Sequence, residues 1–207
     1  MEKASDIAVV VLGAGAGKRF GSGDKLNQKL ADKPVAHHIL GSLAPFQWGR
    51  KILVHHGKAP WHDAFIANGF VLAPVAQLFG GMLGSIHNGL TQVIYERHVL
   101  LCLADMPLVS VPHLTGLLAL FRASNRAIVA SRSPNFRGPP AIIPLARLEL
   151  LPKTGEGGAR ALLNEARFLD ADDQQFADID TAGDLEKIRI FHEQPGSAAL
   201  VAGIGSG

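Results

Sequence analysis

From Leu12 to Lys25 the chain reads LGAGAGKRFGSGDK, with glycines alternating at Gly13, Gly15 and Gly17 before Lys18, Arg19, Asp24 and Lys25. Such glycines let a backbone approach a phosphate closely and present amide hydrogens to it, while arginine and lysine add charge-assisted bonds to its oxygens. Two phosphate loops are excluded by spacing. A Walker A loop needs glycine where Leu12 stands and Ser or Thr where Arg19 stands. A dinucleotide fingerprint started at Gly13 meets Lys18 in its third glycine place, and started at Gly15 it meets Phe20. What remains is Leu-x-Ala-Gly-x-Gly-x-Arg-x-Gly followed by Asp-Lys: Leu12, Ala14, Gly15, Gly17, Arg19, Gly21, Asp24 and Lys25. Its plain alternative is a glycine-rich turn between strand and helix carrying solvated basic residues.

Other reactive side chains form no constellation of their own. Nine histidines occur, including the pairs His37-His38 and His55-His56, but neighbours on a helix or strand point apart and no His-Glu-x-x-His or Cys/His cluster exists. Cys102 lies within the apolar run VLLCL, where a thiol is buried and inert. Ser85 lacks the flanking glycine of a nucleophile elbow, because Leu83 stands in its place.

The elements that must position the loop are legible as apolar runs. Ile7 to Leu12, Lys51 to Val54, Phe70 to Val75, Val99 to Leu103 and Ala127 to Ala130 read as strands covered on both faces. Helices are expected over Pro34 to Leu43, His62 to Asn68, Gly84 to Arg97 and Val111 to Ala123. Ile86, Leu90, Val93 and Ile94 would share one face of the third of these. After Ser131 the alternation breaks into a short strand, Ala141 to Ile143, two helices, Pro144 to Leu151 and Gly158 to Ala166, and a final strand-turn-helix, Phe176 to Ile190, with Thr181 as N-cap. Alternating strands and helices imply parallel units with right-handed crossovers, so the fold class is α/β: one mostly parallel, Rossmann-like sheet with helices on both faces. Ligands bind outside the carboxyl ends of such strands, where the loops at Gly13, Gly80 and Ala104 can converge.

At 207 residues, with 47% hydrophobic and 18% charged residues, the chain suits one soluble domain over residues 1–193, followed by a flexible, uncharged tail over 194–207. No apolar stretch reaches the roughly 20 residues of a membrane span, and no signal peptide is evident. With a single cysteine, a cytoplasmic location is expected. A net charge of +2 without basic runs, and 6% aromatics, argue against nucleic acid.

The first loop resembles the signature of nucleotidyltransferases that pass a nucleoside monophosphate from an NTP to a phosphate acceptor. Within them it is similar to the MobA-like NTP transferases, and in particular to the molybdenum cofactor cytidylyltransferases. LADMPLV at Leu103 to Val109 is similar to the family segment whose Asp binds magnesium; Asp105 holds that place, its alternative being a turn or N-cap role. GGMLGSI resembles the loop that contacts base and ribose, while FRGPPAIIP, GEGGARALL and DIDTAGDLEKI resemble the acceptor-side loop, the helix after it and the closing unit that carries Asp178 and Asp180. The resemblance spans residues 7 to 190 and implies the nucleotide-diphospho-sugar transferase type of fold. It implies Arg19, Lys25 and Asp105 as catalytic; Leu12, Gly13, Ala14, Gly15, Ala16, Gly17, Lys18, Arg19, Lys25, Gly81, Met82 and Ser85 as nucleotide-binding; and Asp105 with Asp180 as ligands of Mg²⁺.

Guanylyl members tend to carry Gly-Gly where this chain has Ala14-Gly15, and Gly-Pro-Leu where it has Gly81 to Ser85, so the expected donor is CTP. The expected acceptor is the phosphate of molybdopterin or molybdenum cofactor, with a molybdenum hydroxylase as partner. Two departures stand out: Gly138-Pro139-Pro140 replaces the family's Gly-His-Pro, and Gly155-Glu156-Gly157-Gly158-Ala159-Arg160 replaces Gly-Asp-x-Gly-Ala-Arg. Alternatives are transfer to another phosphorylated small molecule, use of GTP, and a non-catalytic nucleotide-binding partner in molybdoenzyme maturation.

Overall fold

A computed structural model describes residues 1–15, 19–21, 23–75 and 80–193. The chain opens with β1 (Glu2–Ala4) and β2 (Ile7–Gly13), then the short hairpin of β3 (Lys29–Leu30) and β4 (Lys33–Pro34). Next come α1 (His38–Leu43), β5 (Phe46–Trp48), β6 (Lys51–His55), α2 (His62–Ala67) and β7 (Phe70–Pro74). The central part holds α3 (Gly81–Leu90), β8 (His98–Leu103) and α4 (Val111–Ala123). The last part holds β9 (Val129–Ser133), β10 (Phe136–Pro144), α5 (Leu145–Glu149), β11 (Arg167–Asp170) and α6 (Ala182–Glu193).

Seven strands form the main sheet in the order β11-β9-β10-β8-β2-β6-β7. β8, β2, β6 and β7 run parallel, as their uninterrupted apolar sequences require. Alternate side chains feed two cores. Val9, Val11, Leu53, Leu100 and Cys102 pack with α1, α2, α4 and α6, whereas Val10, Ile52, Val54 and Leu101 pack with α3 and α5. β2 has β6 on one side and β8 on the other, so the chain direction switches between β2 and β8 and opens a crevice at their carboxyl ends.

Several expectations need correction. β10 runs antiparallel to both β8 and β9, and it extends over Phe136–Pro144 where the sequence suggested three residues. The strand expected at Ala127 begins at Val129, because Asn125 and Arg126 take positive φ in the preceding turn. β11 and the β1–β5 pair were not foreseen; they are short and mixed in polarity. The helix expected over Gly84 to Arg97 spans Gly81–Leu90, so Ile94 is exposed and off the expected face. Its early end is fixed by Glu96, whose carboxylate accepts the backbone amides of Arg50, Ile94 and Tyr95. Residues Arg160–Glu165 form a 3-10 helix, and Val35–His37 a 3-10 turn leading into α1. No strand is assigned between Ala177 and Asp180, although the helix after them begins as expected: Thr181 and Asp184 cap each other's backbone amides. The expected tail, 194–207, lies outside the described residues.

Candidate active site

The carboxyl ends of β2 and β8 are tied together by Ala104, whose amide donates to the Leu12 carbonyl at 3.0 Å. Past Leu12 the chain reaches a 3-10 turn at Lys25–Asn27, capped by Asp24 through the Leu26 amide. Asp24 also accepts from the indole of Trp61 at 2.9 Å, and Trp61 packs where a Cβ on Gly13 would stand, 2.9 Å away. Gly13 and Asp24 therefore serve the shape of the loop. From the distant end of the sequence, Ile179 donates its amide to the Asp105 carbonyl at 3.1 Å, which brings Asp178 and Asp180 to the same place.

These ties assemble a charge cluster. The Lys25 ammonium, its side chain only 7% exposed, lies 2.6 Å from Asp105 Oδ2 and 3.3 Å from Asp180 Oδ1. The exposed Arg19 guanidinium reaches Asp180 Oδ2 at 2.7 Å. Burial alone would depress the Lys25 pKa, but attraction and hydrogen bonds from Asp105 and Asp180 outweigh it and raise the net value, so the lysine is cationic at neutral pH. Asp178 is held above the usual carboxylate range, first by burial and then by the charges of Asp105 and Asp180. Two cations thus face three carboxylates.

The sequence reading singled out Arg19, Lys25, Asp105 and Asp180, and the fold brings all four together. It did not pair Lys25 with a carboxylate, nor assign a role to Asp178; the alternation Asp178-Ile179-Asp180 was the available signal, since Ile179 is buried between two residues that can face one site. Gly15 is exposed, with open space where a Cβ would stand. The side chains of Leu12 and Ala14 are buried in the core, so only their backbone is free to face a nucleotide. Ala16, Gly17 and Lys18 lie outside the described residues. Gly81, Met82 and Ser85 form the start of α3. Gly81 takes φ +72° and leaves room for Gly155, whose carbonyl accepts from the Leu83 amide at 2.9 Å. Met82 is partly exposed over Gly158, while Ser85 is buried and donates to the Gly81 carbonyl.

The cluster fits a divalent cation of the hard, oxygen-seeking kind. Asp105 Oδ1 is buried without a hydrogen-bond partner, and Mg²⁺ takes one or two carboxylates and completes its shell with phosphate oxygens and water. Among the described residues no three or more His, Cys, Asp or Glu side chains are grouped so as to hold a metal ion by themselves. Cys102 is fully buried and its thiol is pushed up to about 12, so it is no nucleophile. Among the described residues no helix is long and apolar enough to cross a membrane.

The fold and the cluster define a nucleotidyltransferase scaffold. Rv0371c of Mycobacterium tuberculosis, solved in complex with manganese, has a TM-score of 0.68 at 21% identity, covering 90% of this chain and 99% of its own. The 4-diphosphocytidyl-2C-methyl-D-erythritol synthase of Anaerococcus prevotii has a TM-score of 0.69 at 13% identity, covering 91% and 98%. Molybdopterin-guanine dinucleotide biosynthesis protein A of Archaeoglobus fulgidus has a TM-score of 0.56 at 19% identity, covering 88% and 97%. No curated protein matches the sequence. The model of the MobA-like NTP transferase domain matches residues 9–172, and the chain belongs to that family.

Proposed function

We propose that the protein transfers CMP from CTP to the terminal phosphate of molybdopterin, or of its molybdenum-loaded form, releasing pyrophosphate. The observation that carries this reading is the convergence of Arg19, Lys25, Asp105 and Asp180 on the crevice between β2 and β8. Transfers of this type need little covalent help from protein, because in-line positioning and charge stabilisation lower the barrier. Arg19 would hold the β- and γ-phosphates, and the amides of the Gly13 loop the triphosphate as a whole. Lys25 would exchange its carboxylate partners for the α-phosphate as charge grows there. Asp105 and Asp180 would hold Mg²⁺, which when bound neutralises triphosphate charge; a neighbour's complex with manganese supports a divalent ion at such a site. No general base is assigned, since an attacking phosphate is already anionic.

Met82, exposed at the start of α3, favours a pyrimidine over a purine by filling space; the Ala14 methyl is in the core and takes no part in this. The named neighbours include both a cytidylyl and a guanine-dinucleotide enzyme, so the base assignment rests on Met82. A second reading keeps the chemistry and changes the acceptor, on the strength of Pro139 standing where the family's histidine does.

The test is pyrophosphate release from CTP with molybdopterin. Lys25→Ala is expected to lose about a hundredfold in kcat, roughly 3 kcal/mol, as for other electrostatic donors. Asp105→Asn is expected to lose its magnesium-dependent turnover with the fold retained. A Lys25→Ala effect confined to KM would show uniform binding only. Release with a sugar phosphate but not with molybdopterin would establish the second reading.

A further inference from the structure

Arg132 and Arg137 stand directly opposite each other on β9 and β10, and Asp170 on β11 stands opposite Arg132. Like charges opposed across a ladder repel. The Asp170 carboxylate is taken by Arg132 in a fork, Nε to Oδ1 at 2.5 Å and Nη2 to Oδ2 at 2.8 Å. Arg137 has no carboxylate within ion-pair distance among the described residues, and lies 5.5 Å from the centre of the Phe168 ring. Arg132 lies 5.2 Å from the same ring. The two arginines line a cleft of about 450 Å³ with Ser133, Pro134, Asp170 and Ala171. A concave surface therefore carries a guanidinium steadied on an aromatic ring, with no carboxylate or hydrogen-bond partner among the described residues.

The cleft sits at the working edge of the sheet. β10 joins β8 antiparallel with Ala141 opposite Leu101, so the residues before Ala141 run out past the carboxyl end of β8, which leads into Asp105.

We propose that this cleft is the acceptor's anion subsite, with Arg137 binding a phosphate monoester in a bidentate fork. The proposal rests on the reading that the acceptor is a phosphorylated small molecule, and it assigns Arg137 to acceptor binding and not to the nucleotide. Arg137 is exposed and opposes a like charge, so Arg137→Gln should melt no lower than wild type.

Calorimetric titration with phenyl phosphate, and separately with CTP and Mg²⁺, tests it on wild type, Arg137→Gln and Arg137→Lys. The expected result is phenyl phosphate affinity falling about tenfold or more in Arg137→Gln, partly restored in Arg137→Lys, with CTP affinity unchanged. Equal phenyl phosphate affinity in wild type and Arg137→Gln, or no binding to wild type at millimolar concentration, would overturn the subsite. Loss of CTP affinity with phenyl phosphate binding intact would overturn it too, by giving Arg137 to the donor. These titrations are independent of turnover: Arg137-dependent binding without pyrophosphate release would leave the subsite standing and remove the transferase reading.

Discussion

Lys25 is nearly buried between two carboxylates and has a raised pKa, so its charge persists far above neutral pH. The titrating groups that govern stability are elsewhere. Burial, as the largest cause, pushes His38 and His113 down from 6.5 to about 4. His113 donates its Nε2 hydrogen to Ser131 Oγ, whose own hydrogen goes to the Pro140 carbonyl. Between those values the unfolded chain binds protons that the folded chain refuses, so stability is full above about pH 6.5 and falls as pH drops toward 4, by up to roughly 3 kcal/mol per histidine. Asp178, whose pKa is raised by burial and then by the charges of Asp105 and Asp180, opposes this, because the folded chain takes up that proton more readily than the unfolded one. Denaturant midpoints at pH 7 and pH 5 check it; a flat profile would contradict it. At this scale the sequence was informative about which residues matter and silent about partners. Lys25 and Asp105 are separated by 80 positions and Lys25 and Asp180 by 155, and no local pattern encodes such a pairing.

At the scale of elements, α3 lies so close to the sheet that a Cβ on Gly89 would meet Val10 at 2.7 Å and Val54 at 2.9 Å. Both neighbours are branched core residues with no room to move, so Gly89→Ala should cost about 1–3 kcal/mol although helix propensity favours alanine. Thermal unfolding of that variant checks the packing, and an unchanged or raised midpoint would show that α3 can shift outward. The parallel strands were legible because burial on both faces makes them apolar throughout. α4 lies over the residues expected, and its start is fixed by Ser110, which accepts from the His113 amide, and by Pro112 in its first turn. β11 and the length of β10 were not legible, because Arg132, Arg137 and Asp170 are charged strand residues facing a cleft and break the apolar pattern. The end of α3 was hidden for another reason: the apolar period runs on through Val93 and Ile94, and the cap that stops the helix is a carboxylate reaching back from Glu96.

For the molecule as a whole, sheet order places the site. The reversal of strand order between β2 and β8 brings together loops that the sequence separates widely, and the start of α3 is tied to the later segment by Gly155, which bonds both Gly80 and Leu83. Nucleotide bound to such a site stabilises only the folded state, by about 2.7 kcal/mol at a hundred times the dissociation constant, which is enough to raise the melting midpoint by roughly 5–10 °C in a chain of this size. The most direct measurement is therefore the melting midpoint with CTP, GTP, ATP and UTP, with and without Mg²⁺, in wild type and Arg19→Ala. The account predicts a Mg²⁺-dependent rise selective for CTP and lost in Arg19→Ala; a rise selective for GTP would contradict the base assignment, and no rise with any nucleotide would contradict the assignment of this cluster as a nucleotide site.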